Sequence, residues 1–270
     1  MHTLRGLWLS GVCHVLRGVQ AEFKGRWRLE RWAVREMRRL GPTLAPIVVH
    51  TRDGFRMWAD PSEWIGQYVF ATGRYEDATV AVMRRTLSPG DAVVDVGANV
   101  GYLTLVAARQ VGPTGTVTAF EPLPQAREWL LRNVKLNGFE NVVVRGEAVC
   151  DREGSTALSV GPRHHTSTSS IVPASTGGPA VAVQCVRLDD VVDEHANLRL
   201  MKVDVEGAEH LVIEGAQATL SRQSPTVLIE LNSQAPIDLL RRLGYEGQTL
   251  EGLPLGAFDG QVNAVFLKRR

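Results

Sequence analysis

The stretch Asp95-Val-Gly-Ala-Asn-Val-Gly101 follows a short apolar run, Ala92 to Val96, and leads into a helical pattern from Val100 to Arg109. A strand that ends in glycine and turns straight into a helix marks the first βα unit of a ligand-binding parallel sheet. Glycine is needed where backbone turns tightly and a ligand approaches it closely. The free N–H groups of the helix's first turn point at that ligand. A dinucleotide site would want G-x-G-x-x-G to seat a pyrophosphate. Here Gly97 and Gly101 are spaced G-x-x-x-G, and Asp95 precedes them. A carboxylate at that place suits an ammonium group better than a phosphate, which argues against a nicotinamide cofactor and for one bearing a methionine moiety.

Working outward, apolar strands alternate with helices. Strands are expected at Thr116 to Phe120, Val142 to Arg145, Leu198 to Val203 and Thr226 to Leu231. Helices are expected at Pro124 to Leu136, from the fourth strand through Leu220, and at Ile237 to Leu243. This alternation predicts an α/β fold, a parallel sheet with helices on both faces. Ala264 to Leu267 reads as an antiparallel strand added near the end. Thr156 to Val160 and Val181 to Val186 flank a Ser-, Thr-, Gly- and Pro-rich loop, a segment that suits a lid.

Upstream, Ile47 to His50 and Phe55 to Trp58 flank Asp53-Gly54, a hairpin signal, and a helix is expected from Glu76 to Leu87. Residues 1–45 read as one or two basic helices, and residues 46–270 as the main domain. The plain reading of this arm is a solvated helix face whose tryptophans pack on the domain. The sharper one is a lid, or a surface for anionic lipid or an acidic substrate. The plain reading is preferred, because charge runs are usually solvated.

The 270 residues, 44% hydrophobic with a formal charge of +1, suit a folded domain. They give no sign of the basic domain that nucleic acid requires. Cys13, Cys150 and Cys185 are odd in number and widely spaced. They suggest neither a zinc motif nor a disulfide framework, and a reduced, cytoplasmic protein is expected. No stretch looks long and apolar enough to span a membrane.

Acidic residues close the expected strands. Glu121, in Ala119-Phe-Glu-Pro122, is placed to accept hydrogen bonds from ribose hydroxyls. Glu147, before Ala148, sits where an adenine amino group would be met. Asp204 and Glu206 follow the fourth strand in Lys202-Val-Asp-Val-Glu206, and period-two alternation puts Lys202, Asp204 and Glu206 on one side if the strand reaches that far. Glu230 and Asn232 end the fifth strand. Lys202 equally suits a structural ion pair with Asp204, and Glu209 the N-terminus of the next helix.

The stretch from about Gly73 to Leu231 resembles the FkbM family of class I methyltransferases. The resemblance rests on Gly73-Arg-Tyr-Glu76, Asp95-Val-Gly-Ala-Asn-Val-Gly-Tyr102, Ala119-Phe-Glu-Pro122, Asn133-Val-Lys-Leu-Asn137 and, most specifically, Lys202-Val-Asp-Val-Glu-Gly-Ala-Glu209. It implies a Rossmann-like, seven-stranded, mostly parallel sheet. It also implies methyl transfer from S-adenosyl-L-methionine, usually to a hydroxyl oxygen, with S-adenosyl-L-homocysteine as product. The expected cofactor contacts are Glu76, Asp95, Gly97, Ala98, Asn99, Gly101, Tyr102, Glu121, Pro122, Glu147 and Ala148.

Methyl transfer to oxygen needs in-line alignment and removal of a proton. Asp204 is the first candidate for that work and Glu206 the second. His164, His165, Ser169, Glu230 and Asn232 are expected around the acceptor, with the two histidines as alternative bases. Asp204 with Glu230 and Asn232 offers the ligand types of magnesium-dependent methyltransferases, but their spacing does not compel a metal and none is expected. The expected partner is a small-molecule acceptor such as a sugar or natural product, without nucleic acid; a homodimer is left open. The alternatives are N- or carboxyl-methylation at the same cofactor site, a non-catalytic cofactor-binding module, and a nicotinamide oxidoreductase.

Overall fold

A computed structural model of the chain describes residues 4–18, 25–161, 169–171, 179–193 and 197–269. Two helices, α1 (Leu4–Gly18) and α2 (Arg26–Leu40), open the chain. They pack against α3 (Trp64–Thr72), and Leu9, Cys13, Ala33, Val34 and Met37 join one continuous core with the residues that follow. Between them lies the expected hairpin, β1 (Ile47–His50) and β2 (Arg56–Ala59), paired in antiparallel register from Ile47 opposite Ala59 to His50 opposite Arg56. The helix α4 (Asp77–Thr86) then leads to the sheet.

Sequence reading missed α3. The helix is buried nearly all round, so it lacks the polar face whose 3.6-residue spacing would reveal it.

The central sheet has seven strands. Its parallel part runs through β3 (Ala92–Val96), β4 (Thr116–Phe120), β5 (Val142–Arg145), β9 (Leu198–Val203) and β10 (Thr226–Leu231). Two further strands complete it, β11 (Tyr245–Thr249) and β12 (Val262–Lys268). The spatial order is β11-β12-β10-β9-β3-β4-β5, with β12 antiparallel to both of its neighbours. The late antiparallel strand is as expected, while its outer partner β11 was not read. Its Glu-Gly-Gln-Thr sequence lacks the apolar alternation of a strand.

The helices α5 (Tyr102–Val111), α6 (Pro124–Asn137) and α10 (Ala235–Arg242) connect or follow the parallel strands. The single helix expected after β9 is two, α8 (Glu209–Glu214) and α9 (Gln217–Gln223). The break falls at Gly215, where a Cβ would stand 1.9 Å from the Cys150 carbonyl oxygen, so the chain passes too close to its neighbour for any side chain.

A smaller sheet, β6-β8-β7, carries β6 (Ala148–Val149), β7 (Gly154–Ser159) and β8 (Ala180–Val186), followed by the short helix α7 (Leu188–Val191). It corrects the expectation about cysteines. Ala148 pairs with Cys185 and Val149 with Val186 across parallel strands. Cys150 and Cys185 therefore meet, with Cα atoms 5.6 Å apart, and are joined by a disulfide. Their separation of 35 residues hid a contact that only the sheet creates. Cys13 is free and buried, and burial pushes its thiol up to about 11.

The Asn133 to Asn137 motif ties the hairpin to the sheet layer. The Asn133 side chain accepts the Trp58 N–H at 2.8 Å and donates to the Val100 carbonyl at 2.9 Å. Asn137 accepts the Arg56 N–H at 2.8 Å and donates to the Arg56 carbonyl at 2.6 Å. Two amides one helical turn apart thus take up backbone groups on the outer side of β2, as a neighbouring strand would.

Strand order reverses between β3 and β9, since the chain runs outward through β4 and β5 and returns to start β9 on the other side of β3. Ligands of such sheets bind at the carboxyl ends flanking that switch point. The two strands meet tightly there. The Asp204 N–H donates to the Val96 carbonyl at 3.0 Å. Gly97 has φ +79°, and a Cβ on it would lie 1.8 Å from the Asp204 carbonyl oxygen. Replacing Gly97 with Ala is expected to cost about 3 kcal/mol of stability through left-handed strain and overpacking. Urea unfolding measures this; a loss below about 0.5 kcal/mol, the size of a neutral surface change, would contradict the close approach.

Candidate active site

A cavity of about 420 Å³ opens at this switch point. Its floor is the turn Gly97-Ala98-Asn99, its sides are Tyr102, Glu121-Pro122 and Glu147-Ala148, and its far end is Asp204, Glu206 and Glu230. Glu76 and Ser169 also line it. Most of the residues singled out from sequence therefore converge on one space.

Three do not. Asp95 is 2% exposed and turned away from the cavity: Thr104 donates to it at 2.6 Å and the Lys202 ammonium stands 3.2 Å away. It does not reach the cavity to meet an ammonium group there, because β3 points its side chain into the protein beneath the glycine turn. Gly101 has φ +93° and faces α6, where a Cβ would strike Leu130 at 2.4 Å, so its smallness serves helix packing. Asn232 donates to Glu209 at 3.1 Å and is not among the lining residues. His164 and His165 lie outside the described residues.

Each carboxylate has its own electrostatic setting. Burial raises Glu121 to about 7, although the Leu123 and Asn99 N–H groups donate to its two oxygens at 2.8 and 2.7 Å and oppose the rise. Each oxygen keeps a further lone pair for a ligand hydroxyl. Glu147 is held below the usual carboxylate range by Arg145, 2.7 Å away. Burial raises Glu76, against the pull of Lys202.

The cluster at the far end is the unusual feature. One oxygen each of Asp204, Glu206 and Glu230 lies within 4.8 Å of the others. Such a group can share a cation or share protons. Burial and then the charge of Asp204 raise Glu206 to about 7, and the same causes plus a hydrogen bond to Asp204 raise Glu230 to about 8. Lys202 stands 3.5 Å from Asp204 and donates to the Gly97 carbonyl at 2.7 Å. Burial disfavours its charge, but Asp95, Asp204 and Glu76 more than offset that and hold it firmly protonated. The strand itself ends at Val203, and Glu206 adopts a left-handed φ of +54°, so a turn and not strand alternation delivers it to the cavity.

Sequence reasoning missed an aromatic wall. Trp64 and Tyr75 line the cavity, and Tyr75 packs edge-on against Tyr102 at 5.8 Å and Tyr68 at 6.2 Å. Tyr75 lay within the quoted Gly73 to Glu76 motif, where its aromatic character was the available signal. Gln261, beside Glu230, comes from a loop that carries no pattern.

A sequence profile described as the methyltransferase FkbM domain matches residues 95–246. The chain belongs to the FkbM methyltransferase family. It is an S-adenosylmethionine-dependent methyltransferase of the class I fold. A profile for protein-L-isoaspartate(D-aspartate) O-methyltransferase also matches residues 33–151. Methyltransferase 1 of Beauveria bassiana (strain ARSEF 2860) is 28% identical over 193 residues, spanning 62% of this chain and 74% of that protein. The tRNA (guanine(37)-N(1))-methyltransferase Trm5b of Methanocaldococcus jannaschii is 27% identical over 125 residues, 46% of this chain and only 33% of that protein. The crystal structure of methyltransferase FkbM from Methylobacillus flagellatus KT aligns with a TM-score of 0.46 and 15% identity, covering 87% of this chain and 58% of that one.

The raised carboxyls of this FkbM methyltransferase are expected to make cofactor binding pH-dependent. Glu121 and Glu206 are largely protonated below about 7. A cation favours their ionised forms, so S-adenosylmethionine is expected to bind more tightly at pH 8 than at pH 6 and to release protons as it binds. Calorimetry in buffers of different ionisation enthalpy reads both effects. The sign for stability is opposite in the unliganded protein: carboxyls raised above 4.5 by folding stabilise it at low pH, and that contribution is lost as pH climbs through about 7. Affinity independent of pH, with no proton release, would place the cofactor away from these groups.

Proposed function

We propose that this enzyme methylates a hydroxyl oxygen of a small-molecule acceptor, with Asp204 as the general base. The observation that carries the reading is the Asp204, Glu206, Glu230 cluster facing the cavity, with Asp204 alone paired to a buried ammonium group.

The cofactor, when bound, supplies an electrophilic methyl group on a sulfonium sulfur. We assign its adenosyl end to Glu121 and Glu147, and its methionine end to the space above the Gly97-Ala98-Asn99 turn beside Glu76 and Tyr75. The residues fit: the turn is bare of side chain at Gly97, Glu121 has lone pairs to spare, and the surrounding carboxylates suit a cation.

Asp204 and its neighbours then act on the acceptor. Three carboxylates this close do not all ionise near neutrality. Lys202 stands beside Asp204 at 3.5 Å, and the raised Glu206 and Glu230 hold protons next to it. Asp204 is thus the carboxylate free to accept the hydroxyl proton as the oxygen–carbon bond forms and the carbon–sulfur bond breaks. Trp64 and Tyr75 flank the acceptor space and orient it for in-line attack. A hydroxyl needs such a base; an acceptor carboxylate needs none and would be repelled by this cluster. That favours O-methylation of an alcohol or phenol over carboxyl methylation.

We propose that the transfer proceeds without a metal, and chelation tests this at the carboxylate cluster. Replacing Asp204 with Asn is expected to lower kcat by roughly 10²- to 10⁴-fold while S-adenosylmethionine affinity stays close to that of the parent. Product mass and NMR identify the methylated atom. Turnover is expected to survive EDTA unchanged. Full activity in the Asn variant would remove Asp204 as base, and activity abolished by EDTA and restored by Mg²⁺ would make the cluster a metal site.

A further inference from the structure

Beside the cavity lies a second, larger groove of about 690 Å³, and neither the cofactor nor the base accounts for it. One wall is α2. Arg28, Arg31, Arg35 and Arg38 fall at i, i+3, i+7 and i+10, a single helix face, and all four are exposed and line the groove. None of the four has a carboxylate partner among the described residues. Arg28 and Arg31 lie over the Trp27 ring at 5.2 and 5.7 Å, and Arg38 over the Trp64 ring at 4.3 Å.

Of the acidic residues lining the groove, Glu30 on α2 itself and Asp77 are already engaged by other arginines. Glu30 receives Arg26 at 2.9 Å, Arg52 at 3.4 Å and Arg74 at 2.6 Å, and Asp77 pairs with Arg74 at 3.1 Å. Like charges three and four residues apart on a helix repel. The face therefore carries several unbalanced guanidinium groups, at a cost in helix stability.

The groove adjoins the active-site cavity. Tyr75 and Glu76 line both, and Arg38 of the groove stacks on Trp64 of the cavity. Building on the methyl-transfer reading above, we infer that the groove is an acceptor subsite for a phosphoryl group: the acceptor is a phosphate- or diphosphate-bearing molecule whose anion lies along α2 while its hydroxyl reaches Asp204. Guanidinium groups bind phosphoryl oxygens through paired N–H donors. A single carboxylate would engage one arginine; a row of four suits an anion with several oxygens and more than one charge. The geometry also separates charges correctly, with the anion held at the arginine face and kept off the acidic cluster by the Tyr75-Glu76 wall. Trp27 and Trp32 offer ring faces in the same groove for the part of the acceptor next to the phosphate.

The test is binding, without turnover. Inorganic pyrophosphate is titrated calorimetrically into the full chain at about 0.15 M salt, where weak surface attraction is largely screened. Saturable binding is expected, weakened about tenfold or more in Arg31→Ala/Arg35→Ala, the loss of two charge-assisted contacts. S-adenosylmethionine affinity, measured on the same samples, is expected to be unchanged, which shows that the variant is folded. Arg31→Lys/Arg35→Lys is expected to recover part of the affinity. No saturable binding, or equal binding by the Ala variant, overturns the subsite. A single-stranded RNA that binds more tightly than pyrophosphate through the same arginines overturns it too, by making the occupant a polynucleotide. Because no methyl transfer is read, each of these failures leaves the assignment of Asp204 intact, and an inactive base assignment leaves the anion site intact.

Discussion

The buried ammonium group of Lys202 is the interaction around which the site is arranged. It is reached by Asp95 from β3, by Asp204 at the end of its own β9, and by the Gly97 carbonyl from the turn between β3 and α5. Those are the three pieces of chain that meet where strand order reverses. An isolated charge at this depth would be expensive, and even a matched pair is weak evidence for stability. What the lysine provides is position. The Gly97 carbonyl is drawn to the ammonium group, Asp95 is committed beneath the turn, and Asp204 is held where it lines the cavity. Removing the ammonium group would leave two carboxylates facing each other across the switch point.

That arrangement gives neighbouring carboxylates different roles without different chemistry. Asp95 and Asp204 share one cation, yet only Asp204 lines the cavity. Glu230 hydrogen-bonds to Asp204 and Glu206 stands close by, and both lack a cation of their own, so burial and repulsion raise them. The pattern is that of groups whose environments push their proton affinities apart, a recurrent way to set acid and base roles at one pH. Glu121, just past the end of β4, is raised chiefly by burial, against the pull of two backbone N–H donors. A cationic ligand would favour the ionised form in both situations.

Much of the fold was legible because its parallel strands are largely buried and read as short, mostly apolar runs: Ala92 to Val96, Thr116 to Phe120, Leu198 to Val203 and Thr226 to Leu231 are strands to the residue. Elements without a one-sided pattern escaped, namely the buried α3 and the polar edge strand β11. The site was legible in part for the same topological reason. Residues at or just past the end of a parallel strand must gather at one end of the sheet, so Gly97, Glu121, Glu147, Asp204 and Glu230 could be placed together from strand order alone. Direction was less accessible. Asp95 sits one residue before the strand's end and faces inward, whereas Asp204 sits one residue past its own and faces out. Residue type and position in a motif do not separate those cases; the pleat does. Contacts made between elements distant in sequence, such as Cys150 with Cys185, had no sequence signature.

The proposed cofactor and acceptor halves of the cavity differ in the same respect. The cofactor half is built from consecutive βα turns, each encoded in a few adjacent residues. The acceptor half is assembled from separate sources: Trp64 on α3, Tyr75 before α4, Gln261 before β12, and the arginine face of α2 beyond the shared Tyr75-Glu76 wall. Most of these precede the matched 95–246 region or, like Gln261, follow it. A chain can therefore keep the strand-end chemistry that defines its family and still change what it methylates by altering α2 and the segments around it. On that argument, the helices that precede the sheet are where acceptor specificity in this enzyme would be set, with the arginine face of α2 lining the groove beside the cavity.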